Sequence, residues 1–327
     1  MLPPRSYYPP MKHERMRADR LARFFVSLSL LGFCLGVFGC GRSAPVTSAA
    51  APQPPLEYVG FWGARGKGPG QLAAPVALAL DGSGAVYLAD AGSGFVNKFS
   101  LAGEPRLSFQ DDRLDLHPTS IAVDSGGAIY IAEGRRGSVI IYYPDGRRYR
   151  EMRIAPAKAI RGTLHVSVDE DGNLYVAGKR PFGMRVYTRR GRLARAWAGA
   201  AAHEATVEEP AGLAAGPDGL LYVSETARAV LWVYRPDGTL LRTLAAPGED
   251  AQFAGVAANA GFVVAADPRN HVLHVWSRDG SYRLRADLSP WISGSQASPL
   301  AVAMTPAGEC LVLDGNGGRV LRFRLHL

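Results

Sequence analysis

A unit of roughly forty-five residues is written six times into this chain of 327 residues, and that repetition restricts the fold more than any other property. Each copy holds an apolar triplet, an Asp, a Gly turn, an apolar run around a Tyr, and a closing acid. The first reads Leu78-Ala79-Leu80-Asp81, then Gly84-Ala85-Val86-Tyr87-Leu88-Ala89-Asp90. The second spans Ile121–Asp124 and Gly127–Glu133, the third Val166–Asp169 and Gly172–Gly178, the fourth Leu213–Gly216 and Gly219–Glu225. The fifth, Val256–Asn259 and Gly261–Asp267, lacks both the Asp and the Tyr; the sixth is Val302–Thr305 and Gly308–Asp314. Taking Tyr87, Tyr130, Tyr175, Tyr222, Val264 and Leu311 as markers, successive copies are 43, 45, 47, 42 and 47 residues apart.

Each unit contains four short runs of Val, Ile, Leu and Tyr bounded by turn residues, which is a strand signal and not a helix signal. The third run closes on an aromatic: Phe99, Tyr142, Tyr187, Tyr234, Trp276 and Phe323. Turns such as Pro144-Asp145-Gly146 and Pro236-Asp237-Gly238 lead into the fourth, because Pro and Gly preset the turn dihedrals. Four strands per unit and a period in the forties predict an all-β, six-bladed β-propeller. The sixth copy stops after its third run, while Leu56–Gly63 is an apolar strand with no unit of its own. Pairing of that strand with the C-terminal blade is predicted to close the ring and remove an open sheet edge.

The pattern resembles the NHL repeat. The Asp, Gly, Tyr and acid positions carry the resemblance, together with the approach Trp62-Gly63, Gly68-Pro69-Gly70-Gln71-Leu72 and Pro75. It covers about Leu56 to Leu327. It implies the propeller and leaves the function open, because such folds host many activities.

Ahead of the repeats lies an address. Residues 12–23 are basic, and Phe24–Phe38 run apolar for fifteen residues, short of the ~20 that a spanning helix needs. The exit Val37-Phe38-Gly39-Cys40 resembles the lipobox of bacterial lipoproteins, which implies lipidation at Cys40. The expected domains are a signal peptide at 1–40, with an uncleaved N-terminal anchor as the alternative, a flexible Ala/Ser/Pro linker at 41–55 and the propeller at 56–327. The implied location is the bacterial cell envelope, lipid-anchored on the exported side of a membrane. Net charge is +8 for the whole chain and +4 without the first forty residues, and no basic block is large enough to suggest a nucleic-acid reader.

Candidate chemistry is sparse. Asp90, Glu133, Glu225, Asp267 and Asp314 each open a loop; a ring of acids around a channel could bind a metal, but an acid repeated in nearly every unit is expected instead to accept backbone N–H bonds or pair with a nearby Arg. His165 stands where the other copies have Ala77, Ser120, Gly212, Gly255 and Ala301, which suggests a crowded place near a channel. Blade 3 also has Gly178 in place of the acid. Some NHL-like relatives hold zinc on several His residues, but His117, His203, His271, His274 and His326 do not recur at equivalent places, and zinc needs three or four ligands at once. Cys310 sits in an apolar strand as a small core residue. Arg189, Arg190, Arg192 and Arg195 are expected to form a solvated face.

The linkers between blades, Gln110–His117, Ala198–Glu209, Ala245–Phe253 and Ser289–Ser298, should crowd one face beside the acid loops. His165, Trp291 and His203 are the candidate ligand-binding residues; no catalytic residue, metal ligand or cofactor is assigned. The reading is a monomeric, non-catalytic binding or scaffold module for a protein, peptide or glycan. The alternative is a divergent metal-dependent hydrolase or lyase with its site in the central channel.

Overall fold

The computed structural model describes residues 54–154, 162–179, 181–197, 207–226, 228–248, 250–292 and 298–327. Among the described residues the elements are twenty-four strands in six four-stranded antiparallel sheets, with no helix. The sheets are the predicted blades. Blade 1 is Pro75–Leu80, Val86–Asp90, Val96–Phe99 and Pro105–Phe109, paired in that order, and blades 2 to 5 repeat the plan. Blade 6 takes its first three strands from Pro299–Met304, Glu309–Asp314 and Arg319–Leu325, and its fourth from Leu56–Trp62. That strand runs antiparallel to the last one, with Leu56 opposite Leu325 and Trp62 opposite Val320. The predicted closure is therefore present.

Burial follows from alternation along the second strands. Val86 and Leu88 pack toward blade 6, while Tyr87 and Ala89 pack toward blade 2. Successive side chains of a strand point to opposite faces, so a strand buried on both faces must be apolar throughout. The core accordingly forms six clusters, each between two successive blades. Every blade depends on its neighbours, as in other repeat architectures.

The motif's Asp and Tyr form one local device. Asp81 Oδ1 accepts from the backbone N–H of Ser83 (2.9 Å) and Ala85 (3.0 Å), and Tyr87 Oη donates to Oδ2 (3.1 Å). Asp124 with Tyr130 and Asp169 with Tyr175 repeat it. Blade 4 substitutes Asp218 for the missing acid, bonded to Tyr222 at 3.0 Å. In blade 5, Asn259 Oδ1 accepts from Gly261 and Phe262, and in blade 6 Thr305 Oγ1 accepts from Glu309. The weak copies keep the turn and change its fastener.

One regularity was not legible in the sequence. The fourth strand of every blade carries a β-bulge at the same place, leaving Arg106, Tyr149, Ala194, Leu241, Arg283 and Val59 without an opposite residue. All six are exposed. Bulges twist an edge strand away from flat pairing with another molecule.

Candidate functional site

The five acids are buried and committed to backbone. Asp90 accepts from the N–H of Ala73 (2.7 Å), Ala74 (3.1 Å), Gly92 (2.9 Å) and Ser93 (2.8 Å). Glu133 accepts from His117 (2.6 Å) and Arg135 (3.1 Å). Glu225 takes Glu208 N–H and Trp232 Nε1–H, and Asp314 takes Ser298 N–H, Gly317 N–H and the Arg319 guanidinium. Asp267 accepts from Arg269, Asn270 and His274. Burial works to raise its pKa, but the bonds from His274 and Asn270 outweigh that and leave it below the usual carboxylate range. Asp90, Glu133, Asp267 and Asp314 each take one donor from the linker entering the blade, Gln252 N–H in the case of Asp267, and another from the loop that the acid opens; Glu225 joins its linker to Trp232 on the third strand instead. The acid is a staple between the two loops, and the linkers therefore lie beside the acid loops, as expected. Arg136, Arg228, Arg269 and Arg319 lie a few residues past their acids, and among the described residues Arg319 alone of the four pairs with its own acid; Arg136 meets Glu151 and Arg228 meets Glu208.

Blade 3 makes the same joint without charge. A Cβ at Gly178 would meet Phe182 Cδ1 at 2.8 Å and Leu164 Cδ2 at 2.9 Å, because these two side chains fill the acid's place. Arg185 lies over the Phe182 ring at 4.3 Å and donates to the Ile154 carbonyl.

The inner strands meet at the axis. Ala77, Ser120, His165, Gly212, Gly255 and Ala301 all line one cavity of about 80 Å³. Small residues stand there because the strands touch: a Cβ on Gly255 would lie 2.6 Å from Ala301 Cα. Bonds also cross between blades, Ser120 Oγ accepting from Val166 N–H and Thr119 Oγ1 donating to the Leu164 carbonyl. A water occupies about 30 Å³ in the liquid and small-molecule sites run to hundreds, so this space suits a few waters.

His165 is the one titratable side chain in that wall. Its Nε2 lies 3.2 Å from Thr163 Oγ1, and the ring also bonds the backbone of Pro210, where only a carbonyl is on offer. Enclosure by the inner strands disfavours the charged form and pulls its pKa down to about 4. In the unfolded chain the value is about 6.5. Between those two values the unfolded chain binds the extra proton, so this contribution to stability is complete above pH 6.5 and is lost as pH falls toward 4. Stability of the native protein should drop over that window, and His165→Asn should flatten the drop; denaturant midpoints across the range will measure it. A single imidazole among aliphatic walls and committed hydroxyls does not supply the three or four donors of a zinc site. Among the described residues no group of three His, Cys, Asp or Glu is placed to hold a metal.

The axis opens into a larger basin of about 370 Å³ at the turn end of the inner strands, where Asp169, Glu170, Asn259 and Met304 contribute. Sequence reasoning missed it, because its wall combines turns from blades 3 to 6.

Trp291 packs inward. It stacks on Tyr58 (5.4 Å, 21°) and meets Phe323 edge-on (5.2 Å), fastening the linker before blade 6 to the closing strand. His203 and Cys40 lie outside the described residues. Cys310 is fully buried, and burial raises its thiol to about 12, so it stays protonated core.

Six closed blades about a narrow axis define this protein as a six-bladed β-propeller. No protein-family model matches the chain, and no curated protein matches it. Solved structures do. A streptogramin B lyase is 12% identical over 83% of this chain and 99% of its own, with a TM-score of 0.58. The virginiamycin B lyase from Staphylococcus aureus is 12% identical over 77% and 95%, with a TM-score of 0.55. The β-propeller domain of Swd1 from Myceliophteria thermophila is 13% identical over 83% and 100%, with a TM-score of 0.59. At such identities the likeness extends to the fold alone.

Proposed function

We propose that this chain is an envelope-tethered binding module of NHL type, held to a membrane by a lipid on Cys40 and gripping its ligand with the loop-bearing face. The buried staples carry the reading. Carboxylates such as Asp90 and Glu133 fix both the entering linker and the acid loop, so the loops are ordered before any ligand arrives. Preorganised loops spend less binding energy on ordering. The ligand is a protein, peptide or glycan that spans several blades, and the propeller works as a monomer. His165 contributes as a neutral hydrogen-bonding group at the end of the channel, and His203 and the rim of Trp291 as loop contacts.

Immobilised propeller should retain its ligand through a wash in chelator. Asp112→Ala with Arg113→Ala, exposed in the linker to blade 2, should lose the ligand, while Glu170→Gln and Met304→Ala in the basin should keep it. The opposite pattern would move the site to the basin. Stoichiometric metal surviving dialysis and lost in His165→Ala would favour the hydrolase or lyase instead. Lipidation is tested separately, by incorporation of labelled fatty acid into the native chain and its absence from Cys40→Ser.

A further inference from the structure

The outer rim of blades 2 and 3 is strongly positive. Residues 147–153 and 189–195 hold eight arginines and one acid, Glu151. Glu151 is already engaged by Arg148 at 2.7 Å and Arg136 at 3.8 Å, and Arg147 is paired with Asp145. Arg153, Arg189, Arg190 and Arg192 are exposed, with no carboxylate within 4 Å among the described residues.

These charges sit on a built surface. Arg150 reaches across the blade boundary and donates from Nη1 to the Arg190 carbonyl (3.2 Å) and from Nη2 to the Arg189 carbonyl (3.4 Å). The next residue, Gly191, has φ +80°, and a Cβ there would lie 2.9 Å from Arg150 Nη1. One arginine thus pins the turn that presents two others.

Apolar groups lie among the charges. Tyr143 is 42% exposed, Tyr149 54% and Leu193 54%. Tyr149 is the bulged residue of its strand, so the backbone turns it outward. Its ring lies 5.0 Å from that of Tyr143, with Arg147 and Arg150 at 5.5 and 5.6 Å from the two ring centres. A soluble polyanion would use the arginines and stack on the tyrosines, but it has no use for Leu193. A lipid bilayer uses all three: arginines meet phosphates, tyrosines sit at headgroup depth, and a leucine reaches the acyl boundary.

We propose that this rim docks on a bilayer rich in anionic phospholipid such as phosphatidylglycerol. The envelope reading above enters only by bringing such a membrane within reach. The test uses residues 52–327, a compact unit that holds every described strand and all six core clusters, so the N-terminal anchor plays no part. Failure here and failure of lipidation at Cys40 are therefore separate results.

Sedimentation with phosphatidylglycerol/phosphatidylcholine vesicles should recover the propeller, and pure phosphatidylcholine should not. Arg189→Gln with Arg190→Gln should weaken partitioning about thirtyfold, since each basic residue near such a surface contributes ~1 kcal/mol. Tyr149→Ser with Leu193→Ser should weaken it several-fold, and still do so in high salt, where the charge term is screened. Arg283→Gln with Arg285→Gln, exposed across the ring in blade 5, should change nothing. All six positions are exposed, so melting temperatures should match the parent and rule out misfolding. Equal binding to neutral vesicles, or parent-like binding by the double arginine variant, would overturn the proposal. So would insensitivity to Tyr149 and Leu193 combined with competition by a soluble anionic polysaccharide or oligonucleotide.

Discussion

Removal of residues 52–62 should unmake the ring, whereas removal of residues 1–51 should leave its melting temperature unchanged. The segment holds the outer strand of blade 6, and its aromatic side chains work on both sides of the seam. Tyr58 stacks on Trp291 and packs on Phe323, while Trp62 lies 4.8 Å from Phe99 of blade 1 and donates from Nε1 to the Leu101 carbonyl (3.2 Å). Both rings are half-buried, so replacing either by Ala should cost about 3 kcal/mol, the lower end for an aromatic truncation. Losing both, with the ladder to Arg319–Leu325, approaches the 5–15 kcal/mol that typically holds a domain together. The exposed edge of Arg319–Leu325 is then free to pair with another chain. Size-exclusion profiles should show association, and thermal melts a large downward shift. An unaltered melt in the shortened chain would mean that the seam is not structural.

The second large effect is expected at Asp90. Asp90→Ala leaves the N–H groups of Ala73, Ala74, Gly92 and Ser93 facing a cavity with no acceptor. An unmet buried donor costs about 1–3 kcal/mol. Entering water relieves some of them, so a net loss of about 4 kcal/mol is expected, and about half that for Asp90→Asn, which keeps one oxygen. Gly178→Asp supplies the counter-test. It restores the repeat's own residue to blade 3, yet it drives a carboxylate between Phe182 and Leu164 and should also destabilise by several kcal/mol. Urea midpoints will report all three. A stable Gly178→Asp would show that the acid alone, and not its donors, defines the joint.

These two sites show what kind of information the chain carries locally. The Asp–Tyr fastener of blades 1 to 3 joins residues six positions apart, so each copy is written whole in a short stretch of sequence. The acid's donors lie partly sixteen or seventeen residues upstream, as with Ala73 for Asp90 and Glu208 for Glu225, so the acid is visible as a motif while its purpose is not. His165 was legible for a related reason. One large polar residue stood in a column of Ala, Ser and Gly, and the column exists because inner strands converge. Trp291 was legible as an aromatic in a linker, but its direction was not, because its partner Tyr58 is more than two hundred residues away. Arg189–Arg195 was visible as a charge cluster. Its link to Tyr149 depends on Arg150 crossing from one blade to the next and on a bulge that leaves no compositional trace.

The amino-acid order by itself determined the number of blades, the four strands in each, the turns between them and the strand exchange that joins the two ends of the repeat array. All of these follow from alternation and turn chemistry within some fifty residues, plus one count of strands. Only the tertiary structure decided which side chains share a surface. The narrow axis, the basin below it, the stapled loops and the arginine rim all arise where blades abut, and abutment is set by packing among residues that the chain holds far apart.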